Sequence, residues 1–127
     1  LALDYTVDTN KSFDEVVALF EKKIPGNNFR VLHIHDVKAT FKEKGFERED
    51  LKIIEVCNVK YAKEALEKDI NIGLMMPCKI NVYKAGGKVR ISLLRPSLLA
   101  SFFPGAGIEK LGVEVEKILK KVIDEVK

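Results

Sequence analysis

Hydrophobic and polar residues alternate along five segments of the chain, and a period of two is typical of half-buried β-strands. In residues 1–8, Leu, Leu, Tyr and Val occupy the odd positions, and four residues that are mostly polar occupy the even ones. The pattern predicts further strands over residues 29–36, 51–57, 74–83 and 88–94. The last two should form a hairpin, because Gly86 and Gly87 allow the positive φ angles of a tight turn.

Four other segments have the spacing of helices. Ser12 and Glu15 form a capping box before a stripe of apolar residues that runs to Ile24. Residues 108–126 carry an unbroken i, i+3, i+4, i+7 apolar stripe. Two shorter helices are predicted over residues 37–44 and 59–68, the second capped by Asn58. We therefore predict one α+β domain over residues 1–127, a mainly antiparallel five-stranded sheet with the two long helices on one face.

Composition narrows the class of protein. The chain has 127 residues, 46% of them apolar, which is enough for one core. Because 22 basic residues nearly balance 19 acidic ones, nucleic acid is not an expected partner. No apolar run approaches the roughly 20 residues that cross a membrane, no leader peptide is visible, and the cysteines are too few for a disulfide scaffold. We expect a soluble cytoplasmic protein, and the Lys- and Glu-rich composition without Gln or Trp suggests a thermophilic source.

Strand alternation predicts which side of the sheet carries chemistry. If the more apolar alternates are buried, Leu32, Ile34, Ile54 and Val56 lie under the helices. The other side then presents a group of polar and reactive residues from several strands. This group comprises Val31, His33, His35, Ile53, Glu55 and Cys57, extended from the hairpin by Asn81, Tyr83, Arg90 and Ser92.

This group raises the possibility of a metal site. Residues two apart on a strand are about 6.6 Å apart on the same side. His33 and His35 could therefore converge on zinc, iron or another divalent metal, with Cys57 and Glu55 as further ligands if their strand is adjacent. The alternative is that both histidines are solvated or lie at a subunit contact.

The two cysteines suggest a second kind of chemistry. Cys57 immediately precedes the predicted helix start at Asn58, where the helix dipole lowers a thiol pKa. Cys57 could then be a nucleophile with His33 or His35 as its base, or it could be a small packed residue. Alternation points Cys78 inward, but Pro77 beside it favours a bulge, so its face stays open.

The apolar connection over residues 98–107 allows two interpretations. It could be a flap over a pocket or a dimer contact, or it could be a short core helix. Its Gly105 and Gly107 lack the remaining spacing of a phosphate-binding loop, so nucleotide binding is not expected.

Three blocks of sequence resemble one family. They are FRVLHIHD at residues 29–36, IEVCN at 54–58 and MPCKI at 76–80, accompanied by Tyr61, Ala62 and Leu66. Together they closely resemble the prokaryotic domain of unknown function 302 family over nearly the whole chain. The resemblance implies a compact α+β domain similar to the TATA-binding-protein-like fold and brings no established substrate or cofactor. The family pattern often has proline where this chain has Val59, but Asn58 can cap the helix without it.

These observations lead to one functional prediction with two alternatives. We expect a homodimer that binds a small ligand or a metal on its bare sheet face. The alternatives are a thiol-dependent enzyme or redox protein using Cys57, with Cys78 as resolving partner, and an interaction module that dimerises through the bare face. The predicted ligand-binding residues are His33, His35, Glu55, Cys57, Cys78, Asn81 and Arg90, and the predicted metal ligands are His33, His35 and Cys57.

Overall fold

The computed structural model describes residues 2–127, in which strands and helices are interleaved. The elements in chain order are β1 (Asp4–Thr9), α1 (Phe13–Gly26), β2 (Arg30–Asp36), α2 (Val37–Glu43), β3 (Leu51–Cys57), α3 (Val59–Lys68), a 3-10 helix η1 (Ile70–Met75), β4 (Cys78–Ala85), β5 (Lys88–Leu94), α4 (Pro96–Ala100) and α5 (Glu109–Val126). Within residues 2–127, no helix is both long and apolar enough to cross a membrane.

The five strands form one antiparallel sheet in the order β1-β5-β4-β3-β2. β4 and β5 are joined through Gly86 and Gly87, whose φ angles are 58° and 83°, so the predicted hairpin turn is present. Such angles are easily adopted only by glycine. The predicted α+β class with a mainly antiparallel five-stranded sheet is confirmed.

The long helices α1 and α5 cover one side of this sheet. Ser12 caps α1 by accepting a hydrogen bond from the Glu15 amide at 3.2 Å, as the sequence predicts. The apolar stripe of each helix packs on the alternate residues of β3, β4 and β5. The fully buried side chains of this core include Val16, Phe20, Ile24, Ile54, Val56, Ile80, Val82, Ile91, Leu93, Leu119, Val122 and Ile123.

The edge strand β2 departs from the predicted alternation. Val31 lies opposite the buried Val56 and Ile34 lies opposite the buried Ile54, with a shift of register between Val31 and His33. The prediction that Val31 faces outward and Leu32 inward was therefore wrong. Leu32 is the extra residue of a β-bulge and is 48% exposed.

A second, smaller core lies beyond the end of the sheet. It contains Ala65, Ile72, Ala100 and Ile108, from α3, η1, α4 and the approach to α5. The sequence predicted a strand from residue 74, but the 3-10 helix occupies residues 70–75 and β4 begins at Cys78. Asp69 caps this 3-10 helix through the Asn71 amide. The short helix α4 has Pro96 and Ala100 buried, and it includes only residues 98–100 of the connection over 98–107, whose remaining residues form turns and bends.

Candidate functional site

The side of the sheet that faces away from α1 and α5, here called the open face, brings most of the predicted polar residues together. On β2 and β3, His33 lies opposite Glu55 and His35 lies opposite Ile53. The same rows continue across β4 and β5. The residue pairs in register are Glu55 with Lys79, Ile53 with Asn81, Asn81 with Ser92, and Tyr83 with Arg90.

The half of the open face on β1 and β5 is bonded internally. Arg90 Nε lies 3.0 Å from Asp8 Oδ1, and Lys88 Nζ lies 3.7 Å from the other oxygen of Asp8. The Thr6 and Ser92 hydroxyls are 2.7 Å apart, and the Ser92 hydroxyl is 3.3 Å from the Tyr83 hydroxyl. The hydroxyls of this half are paired with one another, whereas Arg90 Nε, although 3.0 Å from Asp8, is buried without a hydrogen-bond partner among residues 2–127.

The other half of the open face holds polar side chains without partners. Within residues 2–127, the side chains of His33, Glu55, Lys79 and Asn81 make no hydrogen bond and no ion pair. Glu55 lies between two potential cations, opposite His33 on one strand and Lys79 on the other. Unpaired groups of both signs on an uncovered sheet are available for an external partner.

The predicted metal set is not assembled. The His33 and His35 rings are stacked with centroids 6.4 Å apart, and His35 Nε2 is 3.0 Å from the Thr40 hydroxyl of α2. Cys57 lies opposite Arg30, not opposite either histidine. Among the residues described, no group of three or more His, Cys, Asp or Glu side chains is arranged to hold a metal ion. The geometry therefore gives no support to a zinc or iron site on His33, His35 and Cys57.

The expected low pKa of Cys57 is also not found. Burial raises the pKa of the Cys57 thiol, and the nearby Arg30 guanidinium offsets this only in part. Asn58 caps α3 by accepting a hydrogen bond from the Tyr61 amide at 3.0 Å, so the helix start is satisfied by that side chain and not by the thiol. With Arg30 opposite Cys57, the register does not pair the thiol with His33, the predicted base.

Cys78 lies on the side of the sheet that faces the helices. It is opposite the buried Val56, and no bulge follows Pro77 in the β3–β4 register. Burial raises the pKa of Cys78 to about 11, with a further increase from Cys57 and a small opposing effect of Lys79. Both cysteines are free thiols. Cys57 belongs to the alternate set of Glu55, whereas Cys78 lies opposite Val56, and no disulfide joins the two thiols.

An apolar cavity lies at the end of the sheet, and we call it the end cavity. Its volume is about 100 Å³, it is partly open to solvent, and it is lined by β3, α3, η1, β4, α4 and α5. Both cysteines and both methionines of the chain border it, together with aromatic and small side chains. The lining includes Phe29, Val56, Cys57, Tyr61, Ala62, Ala65, Met75, Met76, Cys78, Leu99, Ala100, Phe103, Leu111 and Gly112.

The polar side chains at this cavity are already engaged elsewhere. The Tyr61 hydroxyl donates to Glu114 at 2.8 Å, and this contact raises the pKa of Tyr61. The Asn58 amide nitrogen donates to the Asn28 carbonyl at 3.0 Å, while its oxygen caps α3. Apart from the two thiols, the side chains of the wall therefore present apolar surface.

Comparison with known proteins places the chain in a family. The family model described as domain of unknown function DUF302 matches residues 5–126. The chain belongs to the DUF302 family. It is also similar to the crystal structure of an uncharacterized conserved DUF302 protein from Bacillus stearothermophilus, with 26% identity over 100% of both chains and a TM-score of 0.94. No curated protein matches it. The likeness to the TATA-binding-protein-like fold stays a prediction.

In this DUF302 chain, α4 is held against α5 by close packing and by a buried carboxylate. A Cβ added at Gly112 would lie 3.0 Å from the Ala100 Cβ and 3.0 Å from the Pro96 carbonyl oxygen, so a larger residue would require α4 to shift by a few tenths of an ångström. Burial opposes the ionisation of Glu116, but hydrogen bonds from Ser97, Lys120 and Arg95 outweigh it and lower the Glu116 pKa to about 2. The close packing at Gly112 and the hydrogen bonds of Glu116 together hold α4 in place as one wall of the end cavity.

Sequence reasoning missed the end cavity. The one available signal was the apolar connection over residues 98–107, for which a flap over a pocket was one interpretation. Leu99, Ala100 and Phe103 of that segment do line the cavity. The other walls come from α3, η1 and α5, and sequence patterns alone do not show that these elements meet at one end of the sheet.

Proposed function

We propose that the protein binds a small apolar molecule in the end cavity. The observation behind this proposal is a partly open space of about 100 Å³ with an almost wholly apolar lining. An apolar cavity of about 150 Å³ in another protein stays dry and binds benzene or xenon. A space of this size fits a ligand of a few heavy atoms or one end of a longer molecule.

The surrounding residues indicate the chemistry of this ligand. Tyr61 and Asn58 are hydrogen-bonded within the protein, so an ionised group placed here would lose its hydration without compensation. Met75 and Met76 are flexible and polarisable, and their sulfur atoms make favourable contacts with aromatic rings. The expected ligand is therefore an uncharged aliphatic or aromatic group.

A longer apolar ligand would find further surface on the elements of the cavity wall. Ile70 and Leu74 of η1 are 74% and 82% exposed, and Phe102, which follows α4, is 61% exposed. Large apolar side chains gathered on an exposed surface often mark a binding site. These three positions would receive the part of a ligand that extends out of the cavity.

Amide chemical shifts titrated with benzene and with n-hexane test the proposal. Saturable shifts are expected in α3, η1, α4 and the first turns of α5. Ala62→Phe should abolish them by filling the space, whereas Ala18→Phe on the exposed surface of α1 should not. Shifts that persist in Ala62→Phe, or that spread evenly over the sheet, would contradict the proposal. Mass spectrometry of an organic extract of the purified protein would identify a ligand that copurifies.

The open face gives a second candidate function, the binding of a small polar ligand. The unpartnered side chains of His33, Glu55 and Asn81 favour it, and Arg90 lies on the same face. The raised pKa values of Cys57 and Cys78 give no comparable support to a thiol-dependent enzyme. A polar ligand should shift amides of β2, β3 and β4, and His33→Ala should weaken its binding; binding unchanged in that variant would count against this candidate.

A further inference from the structure

We propose that the end cavity holds a Cu(I) site whose ligands are the thiolates of Cys57 and Cys78 and the thioether sulfurs of Met75 and Met76. These four residues carry every sulfur atom of the chain, and all four line the same cavity. All four are half-buried, so their sulfur atoms lie between the core and the solvent from which a metal would enter. Thiolate and thioether sulfurs are soft ligands, and such ligands select Cu(I).

The strand register brings the two thiols together. Cys57 is the last residue of β3 and Cys78 is the first residue of β4, so both lie at the end of the sheet that the cavity occupies. Val56, the residue before Cys57, lies opposite Cys78. The two cysteines are therefore diagonal neighbours on adjacent strands. A charge on Cys57 raises the pKa of Cys78, as expected for thiols that are close to each other.

The methionines would supply the remaining ligands. Within residues 2–127, no third His, Cys, Asp or Glu joins the two thiols in a metal-binding group. Met75 ends η1 and Met76 follows it, shortly before Cys78 in the chain. A methionine side chain has three rotatable bonds, so both thioethers can turn toward a metal while the backbone stays in place.

These ligands suit Cu(I) better than zinc. Zinc sites are built from roughly three or four His, Cys, Asp or Glu side chains. In the described part of the chain, the residues that line the end cavity include the two cysteines but no His, Asp or Glu. Cu(I) needs fewer ligands than zinc and accepts thioethers. The apolar wall around the sulfur atoms would limit the access of water to the metal.

Metal binding would convert both thiols to thiolates. Each S–H group loses its proton to solvent as its Cu–S bond forms, and the copper remains Cu(I) throughout. Two thiolates and one Cu(I) together carry a single negative charge. Arg30 lies opposite Cys57, and Lys79 follows Cys78. Each of these cations lowers the pKa of its neighbouring thiol against the effect of burial, and both would offset the charge of the bound complex.

Competition with bicinchoninate, a chelator that forms a coloured Cu(I) complex, tests the proposal on the reduced protein. We expect each chain to withhold a single Cu(I) from the chelator. Even outer-shell partners of a metal are worth about 10- to 100-fold in affinity, so Cys57→Ser and Cys78→Ser should each weaken binding by about 100-fold or more. Met75→Leu/Met76→Leu nearly conserves volume and should weaken binding by roughly tenfold. His33→Ala, on the open face, should leave the affinity unchanged.

Two further measurements identify the ligands. Calorimetry near pH 7, in buffers of different ionisation enthalpy, should show the release of about two protons per Cu(I), because both thiols are protonated at that pH. X-ray absorption at the copper K-edge should show sulfur alone in the first coordination shell.

Any of four results would overturn the proposal: loss of all copper to bicinchoninate, an affinity that neither cysteine substitution lowers, an affinity unchanged in the methionine double variant, or nitrogen or oxygen in the first shell. Circular dichroism establishes folding, and Cys78→Ala replaces Cys78→Ser if the buried hydroxyl unfolds the chain. Metal-free Cys57→Ser should still bind benzene. The Cu(I) site can therefore fail without the proposed function failing.

Discussion

Glu116 of α5 accepts two hydrogen bonds from Ser97, one from its amide at 3.1 Å and one from its hydroxyl at 2.6 Å. Arg95, the N-cap residue of α4, makes no side-chain cap, so a carboxylate from another helix supplies the acceptor at this helix start. The Arg95 and Lys120 side chains balance its charge at 3.3 and 3.0 Å. A wall of the end cavity thus depends on one ionised group that is 6% exposed.

This arrangement predicts a loss of stability in acid. The pKa of Glu116 falls from its ordinary value of 4.5 to about 2 in the folded chain. A lowered folded-state pKa gives stability that is fully present above pH 4.5 and is lost as the pH falls toward 2. At about 1.4 kcal/mol per pKa unit, the contribution is about 3 kcal/mol.

The measurement is the free energy of unfolding in urea for the wild type and Glu116→Gln, at intervals from pH 7 to pH 2. The variant should be less stable by about 2 to 4 kcal/mol at pH 7, and the two curves should converge near pH 2. Glu21→Gln, on the exposed surface of α1, should follow the wild type throughout. If the difference in the free energy of unfolding between wild type and Glu116→Gln does not change below pH 4, the lowered pKa of Glu116 is contradicted.

Gly112→Ala tests how closely α4 and α5 approach each other. Alanine is a better helix former than glycine by about 1 kcal/mol, but here its Cβ would be 3.0 Å from two atoms of α4. We expect a net destabilisation of about 1 to 3 kcal/mol, as for other overpacked sites, and weaker benzene binding. Gly26→Ala is the matched control, since an added Cβ there meets nothing within 4 Å. If Gly112→Ala is as stable as the wild type, α4 moves more easily than the packing indicates.

The sequence predicts the framework of this fold well because local patterns determine it. The Ser12 cap, the Gly86-Gly87 turn and the stripe of α5 are each encoded within a few residues, and all are present. The side of β3 that Ile54 and Val56 occupy was also predicted correctly, because Glu55 lies between these two apolar residues in the sequence.

The sequence predictions that were wrong depend on contacts between residues that are distant in the chain. In β2, Leu32 is as apolar as Val31 and Ile34, and only the pairing with β3 reveals the bulge at which Leu32 is exposed. The pKa of Cys57 is raised by burial, which depends on elements distant in the sequence. The position before a helix start therefore predicted a shift of this pKa in the wrong direction. The end cavity lies between helices that are separated in the sequence. The hydrophobic periodicity of each helix predicts its buried face but does not predict a cavity between helices.

The thiols give a final prediction, since the structure orders their reactivity. Burial raises both pKa values, and that of Cys78 reaches about 11 against an ordinary 9.0. The thiolate is the reactive nucleophile, and near pH 7.5 Cys78 should have roughly a hundredth of the thiolate fraction of a free cysteine. Its burial should slow its reaction further.

The measurement is the rate of reaction with iodoacetamide for the single-thiol variants Cys57→Ser and Cys78→Ser, compared with a short cysteine peptide. The peptide should react fastest, Cys57 more slowly and Cys78 slowest. Benzene should slow Cys78 further, because that thiol borders the end cavity. If Cys57 is alkylated faster than the peptide, Cys57 is instead the reactive thiolate that its position before Asn58 suggests.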